Sequence, residues 1–210
     1  MQGMSPRPYR SKARADAASE TRARIVAAAA EVLGATPYAP FSLESVARMA
    51  GVTRLTVYNQ FGGRRAVLEA VFDETASTAG LDRLGEAITV PDPHQALALV
   101  VERFCAFWEA GRQTHRRLQA ARAVDPDLDE ALRERNERRR RLLGVIVDRL
   151  AQRGAVRSEA APDLVDVLHV LTGLHVFADL AERRSAETAH QLIWQMADSA
   201  LRRAGPDSKR

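Results

Sequence analysis

Apolar residues recur three and four positions apart along most of this 210-residue chain, the spacing that places them on one face of a helix. No stretch alternates apolar and polar residues as half-buried strands do, and aromatic residues make up only 5% of the sequence. Alanine, leucine, arginine and glutamate dominate, and all four favour helices. The pattern therefore predicts an all-α fold.

The same spacing, together with proline, glycine and capping residues, predicts where the helices begin and end. Residues 1–18 are expected to form a mobile polar arm that contains Pro6 and Pro8, with Ser19 as the N-cap of the first helix. The predicted helices span residues 20–34, 43–50, 54–60, 64 to the late seventies, 94–111, 113–122, 126–153, 161–183 and 186–204.

Composition excludes several classes of protein. One cysteine, Cys105, cannot form an internal disulfide or a CxxC metal site and is expected to be a small buried apolar residue. The longest apolar stretch, Val167–Ala178, is shorter than the ~20 residues that a membrane span needs. The basic start has no apolar run after it and does not predict a secretory signal, so a cytoplasmic protein is expected. No HExxH, P-loop, GxSxG or GxGxxG motif is present, so neither an enzyme nor a cofactor or metal site is expected.

Positive charge is concentrated near the amino end of the chain. Residues 1–75 hold 10 Lys+Arg and 7 Asp+Glu, whereas residues 76–210 hold 21 and 20. The first 15 residues contain four basic residues and no acidic one. A nucleic-acid surface is therefore expected in the amino-terminal part.

Residues 42–61, SLESVARMAGVTRLTVYNQF, predict two short helices joined by a tight turn. Ser42 can cap the first helix and Thr53 the second. Gly51 lies where the chain must leave the first helix, which favours a residue that adopts positive φ without a Cβ penalty. Two capped helices around a three-residue turn with glycine form a helix-turn-helix.

The second of these helices is the expected recognition helix, whose first turns enter the major groove of DNA. Arg54 can donate to guanine, and Leu55 and Thr56 can contact a thymine methyl group. The hydroxyls of Thr53 and Tyr58 suit phosphate oxygens. Arg64 and Arg65 open the next helix, where cations are disfavoured unless an anion such as phosphate lies nearby; two exposed loop arginines are the alternative. The DNA-binding residues predicted are Ser42, Thr53, Arg54, Leu55, Thr56, Tyr58, Asn59 and Arg64.

Residues 20–72 resemble the DNA-binding region of the TetR (tetracycline-repressor-like) family of transcriptional regulators, through TRARIVAAAAEVL and FSLESVARMAGVTRLTVYNQFGGRRAVLEAVF. The resemblance implies that Thr53, Arg54, Thr56 and Tyr58 contact DNA and that Arg64 replaces a phosphate-binding lysine. It also implies a homodimer, with a three-helix DNA-binding domain at 19–75 and a larger helical domain for effector binding and dimerisation at 76–210.

The last two predicted helices are broadly apolar and are expected to contribute to a four-helix dimer interface, with a monomer core as the alternative. The residues concerned are Leu164, Val167, Leu168, Leu171, Leu174, Phe177, Ala178, Leu192, Ile193, Met196 and Leu201.

An apolar pocket with a few polar anchors, for a small organic effector, is expected among the middle helices, and ordinary core packing is the alternative. Its predicted residues are Phe104, Phe107, Trp108, His115, Leu118, Leu171, Thr172 and His175. His169 and His175 lie about 120° apart around their helix and are poor joint metal ligands. The charge run 133–141 is interpreted as a solvated helix face rather than a second nucleic-acid site.

The function expected is that of a repressor that binds a palindromic double-stranded operator and is released by an effector. A helical adaptor or an architectural DNA-binding protein without an effector is the alternative, and it would show little preference between DNA sequences.

Overall fold

A computed structural model describes residues 7–35 and 41–206, and within these ranges the regular structure is helical, with no strand. This confirms the all-α fold. The α-helices are α1 (Arg7–Ala35), α2 (Leu43–Ala50), α3 (Arg54–Phe61), α4 (Arg64–Thr78), α5 (Leu84–Thr89), α6 (Pro93–Ala110), α7 (Arg112–Ala121), α8 (Pro126–Gln152), α9 (Ala161–Leu171), α10 (Leu174–Arg183) and α11 (Ala186–Ala204). Single 3₁₀ turns occupy Leu81–Arg83, Arg122–Val124 and Ser158–Ala160.

The chain divides into two compact units. The first contains the described residues up to Glu74 together with Arg117–Leu128, and the second contains Thr75–Arg116 and the residues from Asp129 onward. In the first unit α2 packs against α1 and α3. Its core is built from small and branched side chains with no exposed surface, namely Ile25, Ala29, Val46, Val57, Val67, Leu68 and Leu128.

The first helix begins earlier than the sequence predicts. α1 starts at Arg7, so residues 7–18 are helical rather than an arm, and Ser19 lies within the helix and does not cap it. The reason is the local composition: this segment is rich in alanine, the best helix former. Pro8 falls in the first turn, where its missing N–H costs little. Pro6 and the rest of the predicted arm lie outside the described residues.

The core of the second unit lies among α6, α8, α9, α10 and α11. α11 packs against α6, α9 and α10. The side chains with almost no exposed surface include Leu97, Val100, Val101, Leu143, Ile146, Leu168, Phe177 and Ile193.

The predicted helix 161–183 is two helices, α9 and α10, which meet at a 48° bend. Gly173 is extended there, with φ −81° and ψ 156°. A Cβ on Gly173 would lie 3.0 Å from the Val170 carbonyl oxygen, so this residue has no room for a side chain without rearrangement. The Thr172 hydroxyl donates to the Leu168 carbonyl at 2.8 Å, which closes the last turn of α9. The prediction of one continuous helix is therefore wrong at Thr172–Gly173.

Many of the apolar residues expected at a dimer interface instead form the core of the subunit. Those buried within it are Leu164, Leu168, Leu174, Phe177, Ala178, Ile193 and Leu201. Val167 on α9 and Met196 on α11 remain 41% and 39% exposed. In the described part of the chain no single helix has the length and apolar character to cross a membrane; the bent pair Ser158–Leu171 and Leu174–Arg183 meets those criteria by length and composition only.

Candidate nucleic-acid interface

A capping box fixes the start of α2. Ser42 has an extended backbone, with φ −133° and ψ 148°, and its hydroxyl accepts a hydrogen bond from the Ser45 N–H at 3.1 Å. The Ser42 N–H donates in return to the Ser45 hydroxyl at 3.3 Å. These bonds satisfy N–H groups that a helix start leaves unpaired. The predicted cap is confirmed, and a DNA contact by the half-buried Ser42 stays a prediction.

The turn between α2 and α3 has the predicted geometry. Gly51 adopts φ 65° and ψ 34°, a left-handed conformation that is costly for residues with a Cβ. The Thr53 hydroxyl then accepts a hydrogen bond from the Thr56 N–H at 3.1 Å and caps α3. The two helices of the helix-turn-helix are therefore set by local interactions at their own ends.

α3 is anchored by one face and exposes the other. Val57 is fully buried, whereas Leu55 and Tyr58 are 66% and 55% exposed. Arg54 and Asn59 are also exposed, and Thr56 is half-buried. Among the described residues no hydrogen bond or ion pair involving the side chains of Arg54, Tyr58 or Asn59 is formed. This face therefore presents a cation, a hydroxyl, an amide and an apolar side chain to a partner.

The end of α3 is held against α1 by Arg22, a contact that the sequence pattern does not predict. Arg22 NH1 donates a hydrogen bond to the Gln60 carbonyl oxygen, and the two atoms are 3.2 Å apart. Its guanidinium carbon lies 4.2 Å from the centre of the Phe61 ring. An arginine on a long helix carries no local signal for such a contact, because the contact is made to a residue 38 positions away.

Arg64, the residue expected to contact phosphate, is engaged within its own unit. Its Nε donates to the Phe41 carbonyl at 2.9 Å, and its NH1 lies 2.9 Å from the Asp127 carboxylate. Its NH2 forms an ion pair with Asp125, a residue that is only 9% exposed. A phosphate contact by Arg64 stays a prediction, and it would require some of these bonds to open.

The second unit gathers most of the side chains that the sequence assigns to an effector pocket. The Trp108 ring centre lies 6.3 Å from that of Phe104, 4.6 Å from Phe107 and 5.0 Å from His115. The Trp108 indole N–H donates to the Thr172 carbonyl at 2.9 Å. We call Phe104, Phe107, Trp108, His115 and Thr172 the aromatic cluster.

Three predicted pocket residues are not part of the aromatic cluster. Leu118 is buried, but it belongs to the first compact unit. His175 is exposed on α10, and Leu171 is half-buried beside the core.

Burial changes the ionisation of the polar groups near the aromatic cluster. Burial lowers the pKa of His115 to about 4, against the opposing effect of a hydrogen bond to the Phe107 carbonyl, so the ring is neutral at pH 7. Its Nε2 is buried and has no hydrogen-bond partner among the described residues. Burial also lowers the pKa of His169, helped by the charges of Arg139 and Arg140. The pKa of Cys105 is raised to about 12 by burial, so its thiol stays protonated.

The interpretation of the charge run 133–141 as a solvated helix face is wrong at Arg139, which is buried. Arg139 is only 8% exposed, although Arg138 and Arg141 beside it are exposed. Burial lowers its pKa to about 10. Leu132, Arg139, Leu143 and Ile146 follow a helical spacing, and this periodicity would have placed Arg139 on the buried face of α8.

Among the described residues no group of three or more His, Cys, Asp or Glu side chains is arranged to hold a metal ion.

Residues 25–71 match the family model described as bacterial regulatory proteins, tetR family. Over 81 residues the chain is 40% identical to the HTH-type transcriptional regulator SrpR of Pseudomonas putida, an alignment that covers 35% of this chain and 38% of SrpR. It is also 40% identical over 81 residues to the HTH-type transcriptional regulator TtgW of the same species, with 35% of this chain and 60% of TtgW covered. The aligned region thus spans less than two thirds of either relative.

Solved structures resemble the chain over most of its length. A TetR-family transcriptional regulator from Mesorhizobium loti has a TM-score of 0.64 at 21% identity, covering 90% of this chain and 98% of that one. A TetR transcription regulator from Haloarcula marismortui has a TM-score of 0.62 at 17% identity, with 86% and 98% covered. At these identities the likeness shows the shared fold.

Proposed function

We propose that this chain, a TetR-family transcriptional regulator and not an enzyme, acts as a repressor that binds a specific palindromic operator and releases it when a small organic effector binds. The observation that carries the proposal is the outer face of α3, where the side chains of Arg54, Leu55 and Tyr58 are exposed and make no polar contact within the described chain.

The chemistry of this face suits base recognition in the major groove. A guanidinium such as that of Arg54 can donate two hydrogen bonds to guanine O6 and N7. Leu55 and the Thr56 methyl group suit the methyl group of thymine. Hydroxyls such as those of Thr53 and Tyr58 suit phosphate oxygens, which fix the position of the helix rather than the sequence it selects. We therefore assign specificity to Arg54, Leu55 and Thr56.

A homodimer is part of this proposal, because one recognition helix makes few base contacts. Helix-turn-helix dimers place two such helices about 34–36 Å apart, which matches one turn of DNA. In this chain α9 packs against α11, and both helices expose apolar side chains. Val167 and Val170 on α9 are 41% and 61% exposed, and Met196 on α11 is 39% exposed. We propose that this surface pairs with its copy in a second subunit.

The aromatic cluster is the proposed effector site. It combines three aromatic rings with a neutral buried histidine whose Nε2 is unpartnered among the described residues. Effector sites of this kind are apolar with a few polar groups that orient the ligand. An effector weakens DNA binding only as far as its affinity for the state that binds DNA poorly exceeds its affinity for the state that binds DNA well.

Selection of DNA from a random library by the purified full chain tests the proposal. The expected result is enrichment of a palindrome with two half-sites about one helical turn apart. The Arg54→Ala variant is expected to relax the selected sequence at one position of each half-site, and Arg138→Ala, an exposed arginine on α8, serves as the matched control. A library that stays random after repeated selection would instead identify an architectural DNA-binding protein.

A further inference from the structure

The guanidinium of Arg139 on α8 is buried without an acidic partner in the part of the chain that the structure describes. Among the described residues no carboxylate lies within ion-pair distance of it, although it is only 8% exposed. Two other arginines of the same helix are paired: Arg133 lies 2.7 Å from Glu130, and Arg140 forms an ion pair with Asp166. Buried charges are costly unless they are paired, so the missing partner of Arg139 needs an explanation.

The neighbours of Arg139 compensate its charge only in part. Its NH1 donates to the Thr172 carbonyl at 3.2 Å, at the carboxyl end of α9, and its Nε lies 3.5 Å from His169 Nδ1. The faces of Phe104 and Trp108 lie 5.5 and 5.9 Å from its guanidinium carbon. These contacts engage two of the five N–H donors of an arginine. The remaining donors form a planar fork of the kind that binds carboxylates.

The free donors of Arg139 lie near the bend between α9 and α10. Gly173 lies nearby, and a Cβ added there would come within 3.8 Å of Arg139 NH2. Beyond Trp108, which contacts Arg139, lies the His115 ring with its unpartnered Nε2. The guanidinium, the aromatic rings and His115 all lie within the second unit. The His115 Nε2 lies against Gly111, where an added Cβ would come within 2.5 Å of it.

From this arrangement we propose that Arg139 is the anchor of the effector site and binds the carboxylate of a small organic acid whose apolar body lies against Phe104 and Trp108. The inference rests on the proposed function, because it assigns a chemical class to the effector of the aromatic cluster. The ligand carboxylate supplies the counter-ion that Arg139 lacks among the described residues, and the aromatic rings exclude water from the pair and so strengthen it.

The competing explanation is that Arg139 only holds the α9–α10 bend through the Thr172 carbonyl. The two explanations differ in what the folded protein binds. A purely structural arginine gives no preference for an acid over its neutral amide, whereas an anchoring arginine does.

Fluorescence of Trp108 gives a direct readout, because the chain has two tryptophans and Trp194→Phe leaves Trp108 as the only indole. The full-length Trp194→Phe protein is titrated with benzoate, phenylacetate and octanoate and with the matching amides, and its melting temperature is recorded with each. We expect at least one acid to change Trp108 emission saturably, to raise the melting temperature and to bind at least tenfold more tightly than its amide.

Arg139→Gln and Arg139→Met are expected to abolish the preference for the acid, whereas Arg141→Gln, which removes an exposed arginine of the same helix, leaves it unchanged. The comparison of acid and amide in Trp194→Phe stands even if the Arg139 variants do not fold. The inference is overturned if no acid binds, if acids and amides bind equally, or if folded Arg139→Gln keeps the preference.

Operator binding is measured on the same preparations. If the protein recognises its operator but binds none of the acids, only this inference is overturned. A protein that binds acids but shows no preference among DNA sequences contradicts the repressor function and leaves the acid site standing.

Discussion

The Arg54 side chain is exposed and has no hydrogen-bond or ion-pair partner among the described residues. Its role in binding can therefore be tested apart from any role in folding. We predict that Arg54→Ala lowers the affinity for the selected operator by about 1–3 kcal/mol and relaxes preference at one base position. Unfolding in urea is expected to be unchanged within ~0.5 kcal/mol, because the substitution removes no buried contact. Binding to operator variants by fluorescence anisotropy measures the first effect.

The effect of Tyr58→Phe on DNA binding is to be compared with that of Arg54→Ala. Tyr58 is 55% exposed, and removal of its hydroxyl is expected to weaken binding to all duplexes alike, because a phosphate contact carries no sequence information. If both substitutions reduce specific and random binding by the same factor, the role assigned to Arg54 is wrong.

His115 makes stability depend on pH in a defined direction. Its pKa falls from 6.5 in the unfolded chain to about 4 in the folded state because of burial. Between these values the unfolded chain binds more protons, so stability is complete above pH 6.5 and declines as the pH falls towards 4. The expected loss attributable to His115 is about 3 kcal/mol at pH 4.

Urea unfolding of the wild-type protein and of His115→Phe from pH 7 to pH 4 measures this contribution. Phenylalanine fills the buried site and does not titrate, so the difference between the two pH profiles isolates His115 from His169, whose pKa is also lowered. Parallel profiles for the two proteins would show that His115 does not titrate with a lowered pKa.

Among elements, α4 begins with an arginine that links three segments of the first unit. Arg64 contacts the Phe41 carbonyl ahead of α2 and the carboxylates of Asp125 and Asp127. Asp125 also accepts a hydrogen bond from the Leu128 N–H at 3.1 Å, at the start of α8. We predict that Arg64→Ala destabilises the protein by about 2 kcal/mol, because it leaves the Asp125 carboxylate buried without its partner.

Arg65→Ala is the matched control for Arg64→Ala. Arg65 is exposed and lies 3.0 Å from Glu69 one turn later, a type of surface pair that contributes about 0.5 kcal/mol or less. A double-mutant cycle of Arg64 and Asp125 by chemical denaturation should give a coupling energy near 1 kcal/mol or more. Additive effects would mean that this ion pair contributes nothing to stability.

The accuracy of sequence prediction differs between elements for a physical reason. α2 and α3 were predicted closely because their limits depend on local signals, namely the Ser42 and Thr53 caps and the left-handed Gly51. The break at Gly173 was missed because it is stabilised from a distance, by Trp108 and Arg139 bonded to the Thr172 carbonyl. Short α5 was missed as well, since six residues carry too little periodicity.

In the candidate site, too, features set by local signals were predictable and features set by distant contacts were not. Exposure of the α3 face was predictable because Val57 anchors the opposite face of a short helix. The hydrogen bonds of Arg139 and Arg64 reach residues 33 and 63 positions away, and charge patterns along the chain do not report such contacts.

For the whole molecule we predict a dimer through α9 and α11. Light scattering at micromolar concentration should give twice the 23.1 kDa of one chain. Val170→Glu is expected to give a monomer that loses most of its operator affinity, because Val170 is 61% exposed and a buried unpaired charge is costly at an interface. Ile88→Glu, on α5 and 42% exposed, is the control and should remain dimeric. A monomeric wild-type protein that still binds its palindrome tightly would refute this interface.

We infer that the exposed face of α3 contacts the edges of base pairs. The most direct test is the ratio of affinities of the full chain for its selected palindrome and for a shuffled duplex of equal length, at one physiological salt concentration. We predict a ratio of at least about 10³, which drops by roughly five- to 150-fold in Arg54→Ala. A ratio near one, or a high ratio that Arg54→Ala leaves unchanged, would contradict it.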